Sequence, residues 1–360
     1  MGVLDREFLG MGADVQQFEL ALSAFFGRPA VCVVNGTAAL QLALQAAGIG
    51  PGDEVLVQSL TYVASFQAIA ATGARPVACE VDPHTLTLDW RDAERRVTSR
   101  TRAVMPVHYA GGVGDLDGIL GFAEKYKLRV VEDAAHALGT MHGKRRVGSF
   151  GDIACFSFDG IKNITSGEGG CIVTSDPAVL ARARDGRLLG VLSDTEQRYA
   201  GGRSWTFDVT MQGWRYHMSN IMAAIGVVQL GRLPDLAAKR GELARRYDEA
   251  FKGHPRIQSL PLDYACVAPH IYVVRIKGLT DRDLLRERLL GEGIQTGVHY
   301  QPGHTLSYFQ DASGAWPVTD SVYPELLTLP LHPELTSGDI DRVCTQLCNA
   351  LGGIPLEPVH

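Results

Sequence analysis

From residue 30 onward, short and wholly apolar runs alternate with helical patterns, and this alternation limits the possible folds more than any other feature of the chain. "AVCVV" (30–34) reads as a strand and "TAALQLALQAA" as a helix closed by Gly48. "DEVLVQ" is the next strand, followed by the helix "TYVASFQAIAATG" and the strands "RPVACEV" and "RAVMPVHY". The helix "DLDGILGFAEKY" and the strand "LRVVED" come next, and strand character resumes in "DIACFSF" and "GGCIVTS". Strands with no polar side must be covered on both faces, so the pattern predicts an α/β fold around a mostly parallel sheet.

After residue 215 come two helical patterns, and beyond them the texture changes. "RYHMSNIMAAIGVVQLGRL" reads as a long amphipathic helix and "DLAAKRGELARRYDEAFKG" as a separate charged helix. "HIYVVRI" is a strand, and "DRDLLRERLLGEG" and "SGDIDRVCTQLCNAL" are helices. With 360 residues, the chain exceeds what one core usually organises. The reading is a large domain over 1–237 and a smaller α+β domain over 238–360.

Bulk properties exclude several classes. A net charge of -6 without basic runs argues against nucleic-acid or anionic-membrane surfaces. The start "MGVLDREFLGMG" lacks signal-peptide character and the apolar stretches read as too short to span a bilayer, so a cytoplasmic location is expected. The 7 cysteines form no C-x-x-C pair and are expected to be reduced thiols, and the 11 histidines show no metal-ligand spacing.

In open α/β sheets ligands collect at the carboxyl ends of the strands. Three such junctions carry chemistry. In "VVNGTAAL", Gly36, Thr37 and Ala38 open a helix whose free N–H groups suit a phosphate, although Thr37 alone would serve as an ordinary cap. In "VVEDAAHALG", Asp133 ends a buried strand and needs a cationic or hydrogen-bonding partner; His136 taken alone reads as a core histidine. In "SFDGIKNITSGEGGC", Lys162 lies between Ser157 and a glycine-rich run that permits close approach of backbone to a ligand. A lone loop lysine is ordinarily solvated. The three junctions agree on one ligand, pyridoxal phosphate, which requires a Schiff-base lysine (Lys162), a carboxylate for its ring nitrogen (Asp133), a phosphate cradle (Gly36, Thr37, Ala38, Ser157) and a group against its ring (Tyr62).

The ordered motifs "LGMGADVQQFE", "NGTAALQLALQAAGIGPGDEV", "VEDAAHALG", "VGSFGDIACFSF…K", "TSGEGG", "MSNIMAAIG", "GVHYQPGH" and "LTLPLHPEL" resemble the DegT/DnrJ/EryC1/StrS aminotransferases over nearly the whole chain. That resemblance implies a fold-type I enzyme with a seven-stranded mixed sheet, a smaller C-terminal domain and a homodimer with active sites at the subunit interface. It also implies transfer of an amino group from L-glutamate to a nucleotide-linked keto sugar. By the same resemblance, His136 contacts the cofactor near its phenolic oxygen and Ser157 binds the phosphate. Arg215, in "GWRYHMSN", stands where similar proteins send an asparagine across the interface. His299 and His304 match a segment approaching the sugar, and Arg198 and Arg203 lie in a variable loop facing a diphosphate or solvent. Amination at C4 is favoured over C3 by analogy.

Rival readings are a sugar dehydratase of the same fold, a keto-cyclitol aminotransferase and a sensor that binds the cofactor without turnover. Related dehydratases carry histidine at the lysine position, so Lys162 favours transamination. A nicotinamide-dependent oxidoreductase lacks support because "VVNGTAAL" has no G-x-G-x-x-G spacing.

Overall fold

The computed structural model describes residues 2–5, 8–310, 314–352, 354, 356 and 357. Its centre is a seven-stranded sheet built from β1 (Ala30–Val33), β2 (Glu54–Gln58), β3 (Arg75–Cys79), β4 (Thr101–Met105), β5 (Arg129–Asp133), β6 (Ile153–Ser157) and β7 (Gly170–Thr174). The spatial order is β1-β7-β6-β5-β4-β2-β3. Only β7 runs antiparallel to its neighbours. The carboxyl ends of the other six therefore share one edge.

Period-two alternation assigns the two faces. Val31, Val33, Val131, Ile153 and Cys155 join one core with α2 (Gly36–Ala46), α3 (Val63–Ala70) and α5 (Pro177–Gly186), while α1 (Ala13–Phe26) lies on the opposite side. Their neighbours Ala30, Cys32, Ala154 and Phe156 face that side, where Phe18 and Leu22 of α1 pack. Farther along, α4 (Leu116–Tyr126) covers Val104 and Val130 with Ile119 and Phe122.

The two helices expected after residue 215 are one, α6 (Asn220–Phe251), which runs through Pro234. Proline removes a single helical N–H, and packing at both ends of the helix outweighs that local loss. Ala223 and Leu233 belong to the core under the large sheet. Leu243, Ala244, Tyr247 and Phe251 belong to a second core, formed with β8 (Ile257–Ser259), β9 (Tyr272–Ile276), β10 (Leu326–Leu329), α7 (Arg282–Gly291) and α8 (Ser337–Leu351). The chain thus passes from one core to the other inside a continuous helix. By length and composition alone α6 could also cross a membrane, contrary to the expectation from the sequence. Its first half is amphipathic: Gly226 sits so close to Phe18 that a Cβ there would lie 2.5 Å from the ring, while Ile221, Ile225 and Val228 are exposed.

Candidate active site

A cavity of about 460 Å³ opens at the shared carboxyl edge. Its lining follows the strands in turn: Asn35, Gly36 and Thr37 after β1, Thr61 and Tyr62 after β2, Val107 after β4, Asp133 and His136 from β5, Ser157, Asp159 and Lys162 from β6. His299 and Tyr300 close it from the C-terminal part of the chain. A larger open groove of about 800 Å³ lies elsewhere, along Arg245, Asp248, Lys252, His254 and Ser259. There Tyr272 donates to Asp248 at 2.6 Å and meets the Ser259 hydroxyl at 2.6 Å, so these polar groups satisfy one another.

One end of the cavity suits an anion. Asn35 caps α2 by accepting from the Ala38 N–H at 2.8 Å. The Gly36 and Thr37 N–H groups precede the first helical hydrogen bonds and lie at the positive end of the helix dipole. A Cβ on Gly36 would fall 2.8 Å from the Ser157 Cβ, so only glycine lets the helix start beside the end of β6. Ala38, expected in the cradle, is not among the lining residues because Asn35 already holds its N–H.

The floor carries Asp133. Ser65 donates to Oδ2 at 2.7 Å and the Ala135 N–H to Oδ1 at 3.2 Å, and Thr61 meets the Ser65 hydroxyl at 2.9 Å. These donors are neutral, and burial pushes the Asp133 carboxyl above its usual range despite them. A buried carboxylate of this kind favours a cationic ligand atom, and a protonated pyridine nitrogen is one.

Lys162 approaches from the loop between β6 and β7. Asn163 ties this loop to the Leu138 and Ala268 carbonyls, both at 3.1 Å. Arg240 of α6 donates to the Asn163 carbonyl at 3.0 Å and the Lys162 carbonyl at 3.4 Å. Burial lowers the Lys162 ammonium from its ordinary value, while the charges of Asp133 and Asp159 oppose that only in part. The result is an amine tuned toward its nucleophilic form.

Three histidines surround it. His136 is buried, meets the Tyr300 hydroxyl at 3.0 Å and packs against His270 with ring centroids 4.3 Å apart. His270 Nε2 lies 3.5 Å from Lys162 Nζ. His299 Nδ1 meets Thr328 at 2.8 Å. Burial holds His136 well below the usual imidazole range, and burial followed by the charge of Lys162 brings His299 down to about 4. Tyr62, 56% exposed, stands at the mouth with its ring 5.4 Å from Tyr300.

Of the residues singled out in the sequence, Gly36, Thr37, Tyr62, Asp133, His136, Ser157, Lys162 and His299 meet at this cavity. His304 does not. It is buried between Ser59 (2.5 Å) and Asp320 (3.0 Å) and stacked on Trp316 at 4.2 Å, a packing role. Arg203 and Arg215 are exposed and outside the lining of this chain's cavity, and Arg198 is held by Asp194 at 2.6 Å. Asn35, Ser65, His270 and Tyr300 take part without having been singled out. Tyr300 lies within the quoted "GVHYQPGH", and Asn35 precedes the cradle glycine.

A lysine, a buried carboxylate and an anion cradle at the carboxyl edge of a seven-stranded sheet with one antiparallel strand define a fold-type I, pyridoxal phosphate-dependent aminotransferase. The chain belongs to the DegT/DnrJ/EryC1/StrS aminotransferase family, whose model matches residues 1–348. It is 39% identical over 350 residues to the spore coat polysaccharide biosynthesis protein SpsC of Bacillus subtilis, covering 94% of this chain and 90% of SpsC. Among solved structures, the aminotransferase TlmJ of Streptoalloteichus hindustanus superposes with a TM-score of 0.90 at 33% identity, covering 98% of this chain and 94% of TlmJ. The sugar aminotransferase Spr1654 of Streptococcus pneumoniae, described as putative and solved in its PMP form, gives a TM-score of 0.88 at 30% identity, covering 95% and 93% of the two chains.

Proposed function

We propose that this enzyme transfers an amino group from L-glutamate to the keto carbon of a nucleotide diphosphate-linked hexose, at C4 rather than C3, in amino-sugar biosynthesis. The observation that carries the reading is the convergence of Lys162, Asp133 and the Gly36–Ser157 cradle on one cavity, whose lining includes the exposed Tyr62 and Ile161. The comparison proteins described as a polysaccharide-biosynthesis protein and a sugar aminotransferase support it.

Pyridoxal phosphate bound in the cavity supplies an electron sink that stabilises negative charge at the carbon beside the reacting nitrogen. The chain does the rest. The Gly36 and Thr37 N–H groups and the Ser157 hydroxyl bind the phosphate, and Asp133 keeps the ring nitrogen protonated. Ser65 and Ala135 orient that carboxylate. Tyr62 would lie against the cofactor ring. Lys162, neutral once free, takes a proton at Nζ from the donor's α-carbon and returns it a short distance away, acting as base and then acid.

The active form is proposed to be a cytoplasmic homodimer. In its support, Leu189, Trp205, Phe207 and Val209 are exposed apolar side chains in the stretch that leads to Arg215, whose backbone bridges to Leu188, and all 7 cysteines are free. Exposed apolar side chains of this kind suit burial against a second copy, and by the family resemblance Arg215 would reach toward the phosphate of that copy.

The test is a half-reaction screen in which enzyme loaded with pyridoxamine phosphate is offered nucleotide-linked 3-keto and 4-keto hexoses and keto-cyclitols. Return of the visible absorption band with a 4-keto nucleotide sugar is the expected result. A response confined to keto-cyclitols removes the nucleotide-sugar reading.

A further inference from the structure

The reading of Lys162 as the cofactor lysine leaves one buried group unused. His270 lies two residues before the strand β9, far from the cradle in sequence, yet its Nε2 lies 3.5 Å from Lys162 Nζ. The ring is 3% exposed, fixed by its backbone N–H to the Ala110 carbonyl at 3.3 Å and packed against the His136 ring. Its Nδ1 is buried and has no hydrogen-bond partner among the described residues.

These facts bear on its protonation state and its tautomer. The charged and titratable groups that bear on His270 are Lys162, Arg240 and His299, with His136 stacked beside it, and none of them is acidic. Burial first, then these neighbours, hold the imidazole well below its usual range, so it is neutral. A neutral imidazole carries one N–H. At Nδ1 that donor would be orphaned in the interior, and orphaned buried N–H groups are rarer than under-satisfied acceptors. At Nε2 it faces Nζ of Lys162. An ammonium has no lone pair to receive it, whereas a free amine has one.

We propose that His270 is a positioning residue for Lys162: its Nε2–H donates to the Nζ lone pair and holds the lysine as a free base at a fixed point beside the cavity whenever Nζ is not bonded to the cofactor. Arg240 serves the same end twice. It grips the Lys162 and Asn163 carbonyls, and its charge disfavours a second proton on His270. His270 touches neither cofactor nor substrate in this role. It decides where the lysine waits and in which protonation state.

Two measurements on cofactor-free protein test this without relying on turnover, so a failed substrate screen and a failure here are distinguishable. Long-range proton–nitrogen correlation spectra of histidine-labelled wild-type protein are expected to show His270 as the neutral Nε2–H tautomer. The Nδ1–H tautomer or an imidazolium at neutral pH overturns the proposal. The second measurement is the rate of Lys162 reductive methylation against pH, read by peptide mass spectrometry. In His270→Leu the midpoint is expected to rise by about half to one pH unit, the size of one hydrogen bond lost from the neutral form. His270→Gln, which keeps an amide N–H near the Nε2 position, is expected to restore most of the shift. A midpoint unchanged or lowered in His270→Leu, or equal shifts in Leu and Gln, assigns His270 to space-filling alone. The wild-type spectrum decides even if a variant does not fold.

Discussion

Two charged clusters lie buried at the central sheet, one under β1 and one at its carboxyl edge, and their bonding is opposite. Under β1, Arg187 is 0% exposed and donates to Glu19, to the Cys32 carbonyl at 2.7 Å and to Tyr199 at 2.9 Å; Tyr199 in turn donates to Glu19. Burial alone would lower that guanidinium, but Glu19 and Tyr199 outweigh it and hold it above its usual range. At the carboxyl edge, Asp133 is raised, Lys162 lowered, and the histidines around them stay neutral. The first cluster pairs its buried cation with an anion of its own, leaving only Arg187 Nε without a partner among the described residues, and serves the fold. The second keeps charges that its neighbours do not compensate, the condition of a site prepared for an incoming ligand.

That contrast can be broken from either side, and the largest effect is expected at the open cluster. Lys162→Ala should lower multiple-turnover activity by on the order of 10⁴ while the urea midpoint of the cofactor-free protein stays put or rises, because a poorly solvated amine has been removed. Assays with saturating donor alongside denaturation curves check both halves; activity retained in this variant would remove Lys162 from the chemistry.

The closed cluster should give the reverse. Arg187→Met leaves Glu19 buried without its cation and is expected to cost about 3–5 kcal/mol of unfolding free energy, with activity per folded molecule near wild type. The double variant Glu19→Met with Arg187→Met should recover part of the loss, since no unpaired charge then remains. A single variant as stable as wild type would show that the pair has no structural weight.

Acid separates the two clusters with a smaller effect. His299 binds a proton near pH 4 when folded and near 6.5 when unfolded, so between these values the unfolded chain holds more protons. Stability is therefore full above about pH 6.5 and falls as the pH drops toward 4. The slope is at most about 1.4 kcal/mol per unit for each neutral imidazole, less for His299, which keeps some solvent contact. His136 and His270, both well below their usual range, add in the same direction, and Asp133 offsets part of the loss because its folded form is protonated first. Thermal midpoints across this window should flatten when His136 and His299 are replaced by Gln, and should not flatten in an Arg187 variant.

Much of this arrangement is legible in the sequence. The β1 to β6 runs announce covered strands, and parallel strands share a carboxyl edge, so Gly36, Asp133 and Lys162 meet although about a hundred residues separate some of them. Asn35 hides behind Thr37, the better-known cap type, and the α2 start must be seen to show which residue bonds Ala38. Ser65 is one serine in an apolar helix. His270 and Arg240 carry no spacing signal: the first reads as the opening of a strand, the second as one charge among many on a helix, and only the docking of the second core brings both to Lys162. His304 failed as a site residue for the same reason in reverse, since Trp316 and Asp320 claim it.

The unbroken helix from Asn220 to Phe251 has a consequence for protein engineering. Its Arg240 grips the backbone at Lys162 while its last turns, at Tyr247 and Phe251, lie inside the second core. A chimera spliced near residue 237 would join two half-helices and transplant Arg240 with the C-terminal donor. The reactive lysine would then be held by a foreign clamp. Recombination that keeps this clamp has to leave the whole helix with the part of the chain that carries Lys162.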